Sequence, residues 1–152
     1  MTRLKTTIAV LLAFAFLAST AQADTVASLV TPTGVNVQTH LEAGNKLVIA
    51  VLPTNDVKLN GQLGIGLTPR DDQMIWLDDL PSVLMVQGDY FEGPVLQSLA
   101  FDSEYLTGPA VMGLTFGACL PDSGICILEE AEITLKRADD GTVDLTLVAV
   151  DP

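Results

Sequence analysis

Apolar and polar residues alternate along several short stretches of the chain, and this period of two predicts β-strands. Apolar side chains alternate with polar residues or glycine over residues 63–67 and again over 133–135. After a turn signal at residues 139–141, Asp-Asp-Gly, the alternation resumes over 143–147. Because successive strand residues point to opposite faces, each stretch has one apolar face, and the last two stretches predict a β-hairpin.

Apolar runs bounded by turn-forming residues predict further strands. Residues 46–52 lie between Gly-Asn and a proline, the pattern of a buried strand. Residues 111–116 and 132–137 predict two strands that lead into and out of a pair of cysteines. Residues 74–77 and 83–86 are predicted as edge strands. No segment shows a sustained helical period with caps at both ends.

Many short strands separated by turn residues predict an all-β fold, an immunoglobulin-like antiparallel β-sandwich. The eight prolines and twelve glycines are scattered, as in turns. Residues 24–152 are enough for a single domain that builds its own core.

The first 23 residues have the pattern of a secretory signal peptide. Arg3 and Lys5 form a basic region, residues 8–18 are apolar, and Ala21-Gln22-Ala23 is a small-x-small cleavage site. The apolar stretch is shorter than the roughly 20 residues of a spanning helix, and no later segment reaches that length. We therefore expect a periplasmic protein with no membrane span after cleavage, in a compartment where disulfides persist.

The charge of the chain argues against some classes of partner. The formal net charge is −12, and cleavage after residue 23 would remove two of the seven basic residues and no acidic one, giving −14. Nucleic acid and anionic membrane surfaces are therefore not expected as partners. The acidic residues are dispersed as in solvated loops, and no Asp-x-Asp-x-Asp-Gly calcium loop occurs, so we predict no metal and no cofactor.

The sequence contains no conventional catalytic constellation. His40 is the only histidine and is predicted to be a surface or strand residue. Gly64-Ile-Gly66 does not continue into a phosphate-binding motif and predicts a strand packed closely against neighbouring backbone. Trp76 is predicted to anchor the core or its rim, with an exposed contact for a partner as the alternative.

Cys119 and Cys126 are the only cysteines, and their spacing suits a disulfide across the mouth of a tight turn between antiparallel strands. A bridge that closes so short a loop stabilises by about 2.5 kcal/mol in the chain-entropy view. A bridge between distant segments would contribute more. The pair is therefore either a modest structural staple or a reversible redox site.

The hairpin and one upstream segment carry a further pattern. The hairpin contains Phe116-x-x-Cys119, the return Ser-Gly-Ile-Cys126, Glu130 four places later, and the strand at residues 133–135. Upstream, residues 88–93 are Gly-Asp-Tyr-Phe-Glu-Gly. Both segments resemble the periplasmic N-terminal domain of the thiol:disulfide interchange protein DsbD family, in which the upstream segment forms a cap loop. The resemblance covers most of residues 24–152 loosely.

The resemblance implies an immunoglobulin-like domain that relays electrons by thiol-disulfide exchange, which makes it a thiol-disulfide oxidoreductase. Its partner would be a periplasmic thioredoxin-like protein or a membrane electron-transfer protein. By position, Cys126 would form the mixed disulfide with the partner, and Cys119 would resolve it. Asp89, Tyr90 and Phe91 would shield the pair until a partner displaces them.

The chain departs from the family pattern in its loops and its extent. Ile127-Leu128 stand where the family has prolines, and the loop between the cysteines is slightly longer. Both changes bear on how a thioredoxin-like partner docks. The family's membrane electron-transfer and thioredoxin-like domains do not follow within the 152 residues, so we expect the electrons to come from another polypeptide.

The residues near the pair in sequence are acidic, Asp122, Glu129 and Glu130, with Asp89 as a further candidate and no Lys or Arg close by. Because carboxylates disfavour the thiolate, we expect thiols that react slowly at rest, as in a shielded relay. The alternative is a non-enzymatic exported immunoglobulin-like binding or structural module with a permanent disulfide. An aromatic cap over the sulfurs favours the relay, whereas a bridge in the core or remote from Phe91 favours the module.

Overall fold

The computed structural model describes residues 26–43 and 45–150, so the predicted signal peptide lies outside the described residues. This part of the chain contains ten strands and a short 3-10 helix at Ser103–Tyr105. The strands are β1 (Val26–Val30), β2 (Asn36–Glu42), β3 (Lys46–Leu52), β4 (Lys58–Leu59), β5 (Ile65–Pro69), β6 (Ser82–Leu84), β7 (Val95–Ala100), β8 (Ala110–Leu120), β9 (Ile125–Arg137) and β10 (Val143–Ala149). No helix within these ranges is long and apolar enough to cross a membrane.

The strands form two antiparallel sheets that enclose one hydrophobic core. Sheet one has the order β1-β2-β3-β7, and sheet two has the order β10-β9-β8-β5-β6, with β4 also paired to β8. Both sheets contribute fully buried side chains, among them Val37, Leu47 and Ile49 from sheet one and Leu67, Met112, Leu114, Phe116, Ile133 and Leu135 from sheet two. The predicted all-β antiparallel sandwich is thus confirmed, and its immunoglobulin-like character stays a prediction.

The predicted hairpin near the end of the chain is confirmed as β9 and β10. The two strands pair from Val143 opposite Arg137 to Ala149 opposite Ala131. In the turn, Asp140 Oδ1 accepts hydrogen bonds from Thr142 Oγ1 at 2.6 Å and Thr142 N at 2.9 Å. These bonds favour the carboxylate and lower the pKa of Asp140.

Two sequence predictions need correction where long-range packing overrides the local pattern. Leu63 lies outside β5 and is 55% exposed, so the buried face of this segment begins at Ile65. Residues 74–77 form no strand, and only Trp76 makes an isolated bridge to Phe101. Its indole packs edge-on against the Phe101 ring, with centroids 6.1 Å apart, and is half-buried at the rim of the core.

Other sequence predictions are confirmed by the packing. The run 46–52 is β3, and β6 is an edge strand that shares residues 83–84 with the predicted strand at 83–86. His40 lies in β2 with its ring 3.4 Å from a carboxylate oxygen of Glu42. A Cβ on Gly64 would lie 2.6 Å from the carbonyl oxygen of Leu84, which confirms the predicted close approach of backbone.

Candidate functional site: the disulfide at the end of the β8-β9 hairpin

The cysteine pair lies where the two longest strands meet at their turn. Cys119 of β8 and Cys126 of β9 are directly opposite each other and are joined by a disulfide, with their Cα atoms 3.9 Å apart. Residues 121–124 form the turn, in which Gly124 has a φ of 68° and donates its N–H to the carbonyl of Leu120. The predicted pairing across a hairpin tip is confirmed.

Strand alternation places both cysteines on the outer face of sheet two. Ala118, the neighbour of Cys119, packs in the core between the sheets, whereas Cys119 is buried on the opposite face of the strand. The two partners nevertheless differ in exposure, since Cys119 is 1% exposed and Cys126 is exposed. The bridge therefore has one solvent-facing end and one covered end.

The segment that covers Cys119 runs along the edge of β8 opposite β9. β4 pairs Lys58 with Cys119 and Leu59 with Ala118, and β5 continues along the same edge from Ile65 opposite Phe116. Residues 60–64 interrupt this ladder with a loop. The loop begins at Asn60, whose N–H donates to the carbonyl of Gly117 at 2.8 Å.

Asn60 contacts both sulfurs. Its Oδ1 accepts hydrogen bonds from the backbone N–H groups of Gln62 at 3.0 Å and Leu63 at 2.8 Å. Its Nδ2 lies 3.6 Å from Cys119 Sγ and 3.7 Å from Cys126 Sγ. The two donors to Oδ1 fix the orientation of the amide, so its NH₂ group faces the disulfide.

Sequence reasoning missed Asn60. The Asn60-Gly61 dipeptide is a turn signal that predicts the hydrogen bonds of Oδ1 to nearby backbone. The contact with the sulfurs depends on the register of β4 against β8, which local sequence does not specify.

A glycine makes room for this arrangement. A Cβ on Gly117 would lie 2.8 Å from both Asn60 Cβ and Leu63 Cδ1. Across the strand pair, Gly117 is opposite Leu128. Leu63 and Leu128 are 55% and 64% exposed, so the bare glycine lies between two exposed apolar side chains beside the bridge.

The candidate cap residues are one strand further from the cysteines. The carbonyl of Asp89 accepts from the N–H of Gly61 at 2.8 Å, and the N–H of Phe91 donates to the carbonyl of Leu59 at 3.0 Å. The segment thus runs along β4 on the side away from β8. Two strand spacings amount to roughly 10 Å between this backbone and that of Cys119.

The two aromatic side chains of this segment face different environments. Tyr90 is the bridge partner of Asn60, which places it on the sulfur-bearing face, and its ring centroid is 5.4 Å from Lys58 Nζ. Phe91 is 8% exposed and belongs to the core. Asp89 accepts a hydrogen bond from the Gln62 side chain at 3.1 Å. The shielding role of these three residues stays a prediction.

The electrostatic surroundings of the pair are less acidic than the sequence indicates. The expectation of no nearby cation is wrong, because Lys58 is the cross-strand partner of Cys119. Glu130 forms an ion pair with Arg70, and Glu129 is buried on the inner face, where it accepts from Thr33 N at 3.2 Å. No three His, Cys, Asp or Glu residues converge as metal ligands in the described ranges.

Comparison with protein-family profiles, with curated proteins and with solved structures gives no match. The resemblance to the DsbD family therefore stays an expectation that rests on the two sequence segments alone.

Proposed function

We propose that this protein is a periplasmic thiol-disulfide exchange domain, which relays electrons to or from a thioredoxin-like partner through a reversible Cys119-Cys126 disulfide. The observation that supports this most is the asymmetry of the bridge. It lies on the outer face of sheet two at the end of a hairpin, with Cys126 open to solvent and Cys119 buried. A partner thiolate therefore has access to one sulfur and a defined leaving group behind it.

The proposed exchange has two steps. A thiolate of the reduced partner attacks Cys126 Sγ, so that a mixed disulfide forms and Cys119 leaves as a thiolate that takes up a proton. The second thiol of the partner then attacks the partner's own sulfur in that bond and releases Cys126. Two electrons and two protons pass to this protein, and the partner becomes a disulfide. In the opposite direction, Cys119 resolves the mixed disulfide.

The surface beside Cys126 supports the docking of a partner. Leu63 and Leu128 present exposed apolar side chains on either side of Gly117, two positions along the strand from Cys119. A partner whose rim around the reactive cysteine is apolar would bury this surface while its sulfur reaches Cys126.

Within this proposal the aromatic segment acts through Tyr90. Its position on the sulfur-bearing face and its contact with Lys58 let it limit access to the bridge from the β4 side. Phe91 anchors the segment in the core. Displacement of Tyr90 by a partner then requires no disruption of core packing.

The second candidate is an exported binding or structural module with a permanent disulfide. The burial of Cys119, at 1% exposure, favours it, because buried cysteines are poorly reactive. The position of the bridge at the end of a hairpin and the exposure of Cys126 argue for the relay instead.

The equilibrium reduction potential separates these two functions. Measured in glutathione or dithiothreitol redox buffers, it is expected to lie above about −300 mV, where exchange with thioredoxin-like proteins is reversible. Circular dichroism of both redox states is expected to show the same fold, because the core forms without the bridge. A potential well below about −300 mV indicates a structural disulfide and contradicts the relay.

A further inference from the structure

We propose that Asn60 is a catalytic residue of the exchange, in which its carboxamide N–H stabilises the thiolate that Cys119 becomes when the bridge opens. This inference rests on the proposed function. It assigns a role to a residue that lies outside the two sequence segments that resemble the DsbD family.

The leaving sulfur needs a hydrogen-bond donor because water does not reach it. Cys119 is 1% exposed, and a sulfur anion formed there loses most of its hydration. In the described part of the chain, the hydrogen bond to Cys119 Sγ comes from Asn60 Nδ2 at 3.6 Å. Hydrogen bonds to a charged partner are stronger than those to a neutral one, so this contact strengthens as negative charge develops on the sulfur.

The donor is oriented before the reaction begins. The backbone N–H groups of Gln62 and Leu63 hold Oδ1, which leaves Nδ2 directed at the sulfurs. A group fixed in this way stabilises developing charge without reorganising during the reaction. The absent side chain of Gly117 provides the space in which Asn60 and Leu63 lie.

The other polar groups near the bridge are engaged elsewhere. Lys58, the cross-strand partner of Cys119, extends its ammonium group over the ring of Tyr90. Asp89 accepts from Gln62. Asn60 is thus the side chain whose polar hydrogen is directed at the bond that breaks.

The Asn60→Asp variant isolates the donor. The carboxylate retains the oxygen that accepts from Gln62 and Leu63 and replaces the NH₂ group by a second acceptor. The rate at which dithiothreitol opens the bridge is expected to fall at least roughly tenfold, because the leaving thiolate loses a donor and gains a repulsive neighbour. Thermal unfolding of the oxidised protein monitors the fold.

Asn55→Asp is the matched control for added charge. It makes the same amide-to-carboxylate change at an exposed residue that precedes β4 and lies outside the Asn60 loop. Since its charge is solvent-exposed and screened, the opening rate is expected to change by less than about threefold.

Asn60→Ser gives a second, uncharged test and decides the matter if Asn60→Asp does not fold. Serine can still accept from the loop backbone but is too short to donate to both sulfurs, so slower opening is again expected. In a Cys126→Ser background, the single thiol of Cys119 is expected to titrate at higher pH when Asn60 is replaced by Asp or Ser. A purely structural role for Asn60 would not predict this shift.

Opening rates in Asn60→Asp and Asn60→Ser that stay within about twofold of the unmodified protein, with the fold intact, would overturn the role of Asn60. Dithiothreitol is the reductant in these assays, so they require no protein partner. If the Asn60 variants slow the opening by dithiothreitol as expected, but the protein does not exchange disulfides with thioredoxin-like proteins, the proposed function is contradicted. The role of Asn60 in opening the bridge is then still supported.

Discussion

Cys126 is expected to react with iodoacetamide at least about tenfold faster in a Cys119→Ser variant than Cys119 reacts in a Cys126→Ser variant. The reason is the difference in exposure, because Cys119 is 1% exposed beneath the Asn60 loop, whereas Cys126 is exposed at the start of β9. Alkylation rates measured by mass spectrometry at one pH check this expectation.

The same two variants in concentrated urea serve as the control. Unfolding exposes both thiols, so the two rates are expected to converge. Equal rates in the folded variants would mean that the two ends of the bridge are equally accessible. The assignment of Cys126 as the cysteine that meets the partner would then be wrong.

Phe91→Ala is expected to lower the free energy of unfolding by about 3 kcal/mol, as measured by urea denaturation. The ring is 8% exposed and packs in the core between the two sheets, so its removal leaves a cavity. Tyr90→Ala is the matched control, because the adjacent aromatic side chain is half-buried and lies outside the core. Tyr90→Ala is expected to lower the free energy of unfolding by clearly less than Phe91→Ala.

The bridge-opening rates of these variants show which ring shields the sulfurs. Tyr90→Ala is expected to accelerate reduction by dithiothreitol, because Tyr90 lies on the sulfur-bearing face. Phe91→Ala is expected to leave the rate of the folded protein nearly unchanged. If only Phe91→Ala accelerates the reduction, Phe91 and not Tyr90 shields the sulfurs.

The β-rich fold could be predicted because most strands carry their own periodic signal. The β9-β10 hairpin combines alternating residues with an Asp-Asp-Gly turn, and both strands appear where the pattern places them. The pattern fails at Leu63, which continues the alternation of β5 but belongs to the loop that starts at Asn60. The alternation of apolar residues does not predict such a loop, because its hydrogen bonds come from the Asn60 side chain and from backbone groups of residues 86 and 89, more than twenty positions later.

The candidate site could be predicted only in part. Two cysteines seven residues apart with a turn between them define the disulfide locally. The cover over Cys119 could not be predicted, because it comes from β4 and the loop after it, some sixty residues earlier in the chain. The faces on which Tyr90 and Phe91 lie likewise depend on their register against residues 59–61. A shift of one residue would put Phe91 on the outer face and Tyr90 on the inner face.

Mixed-disulfide trapping tests the relay through Cys126 most directly. The Cys119→Ser variant is mixed with a thioredoxin-like protein that keeps only its attacking cysteine, activated as a mixed disulfide with thionitrobenzoate. Cys126 attacks the partner's sulfur and releases thionitrobenzoate, so a stable protein-protein disulfide is expected on non-reducing gels. Much less is expected from Cys126→Ser. Absence of the Cys126 adduct in a folded Cys119→Ser variant would contradict the relay.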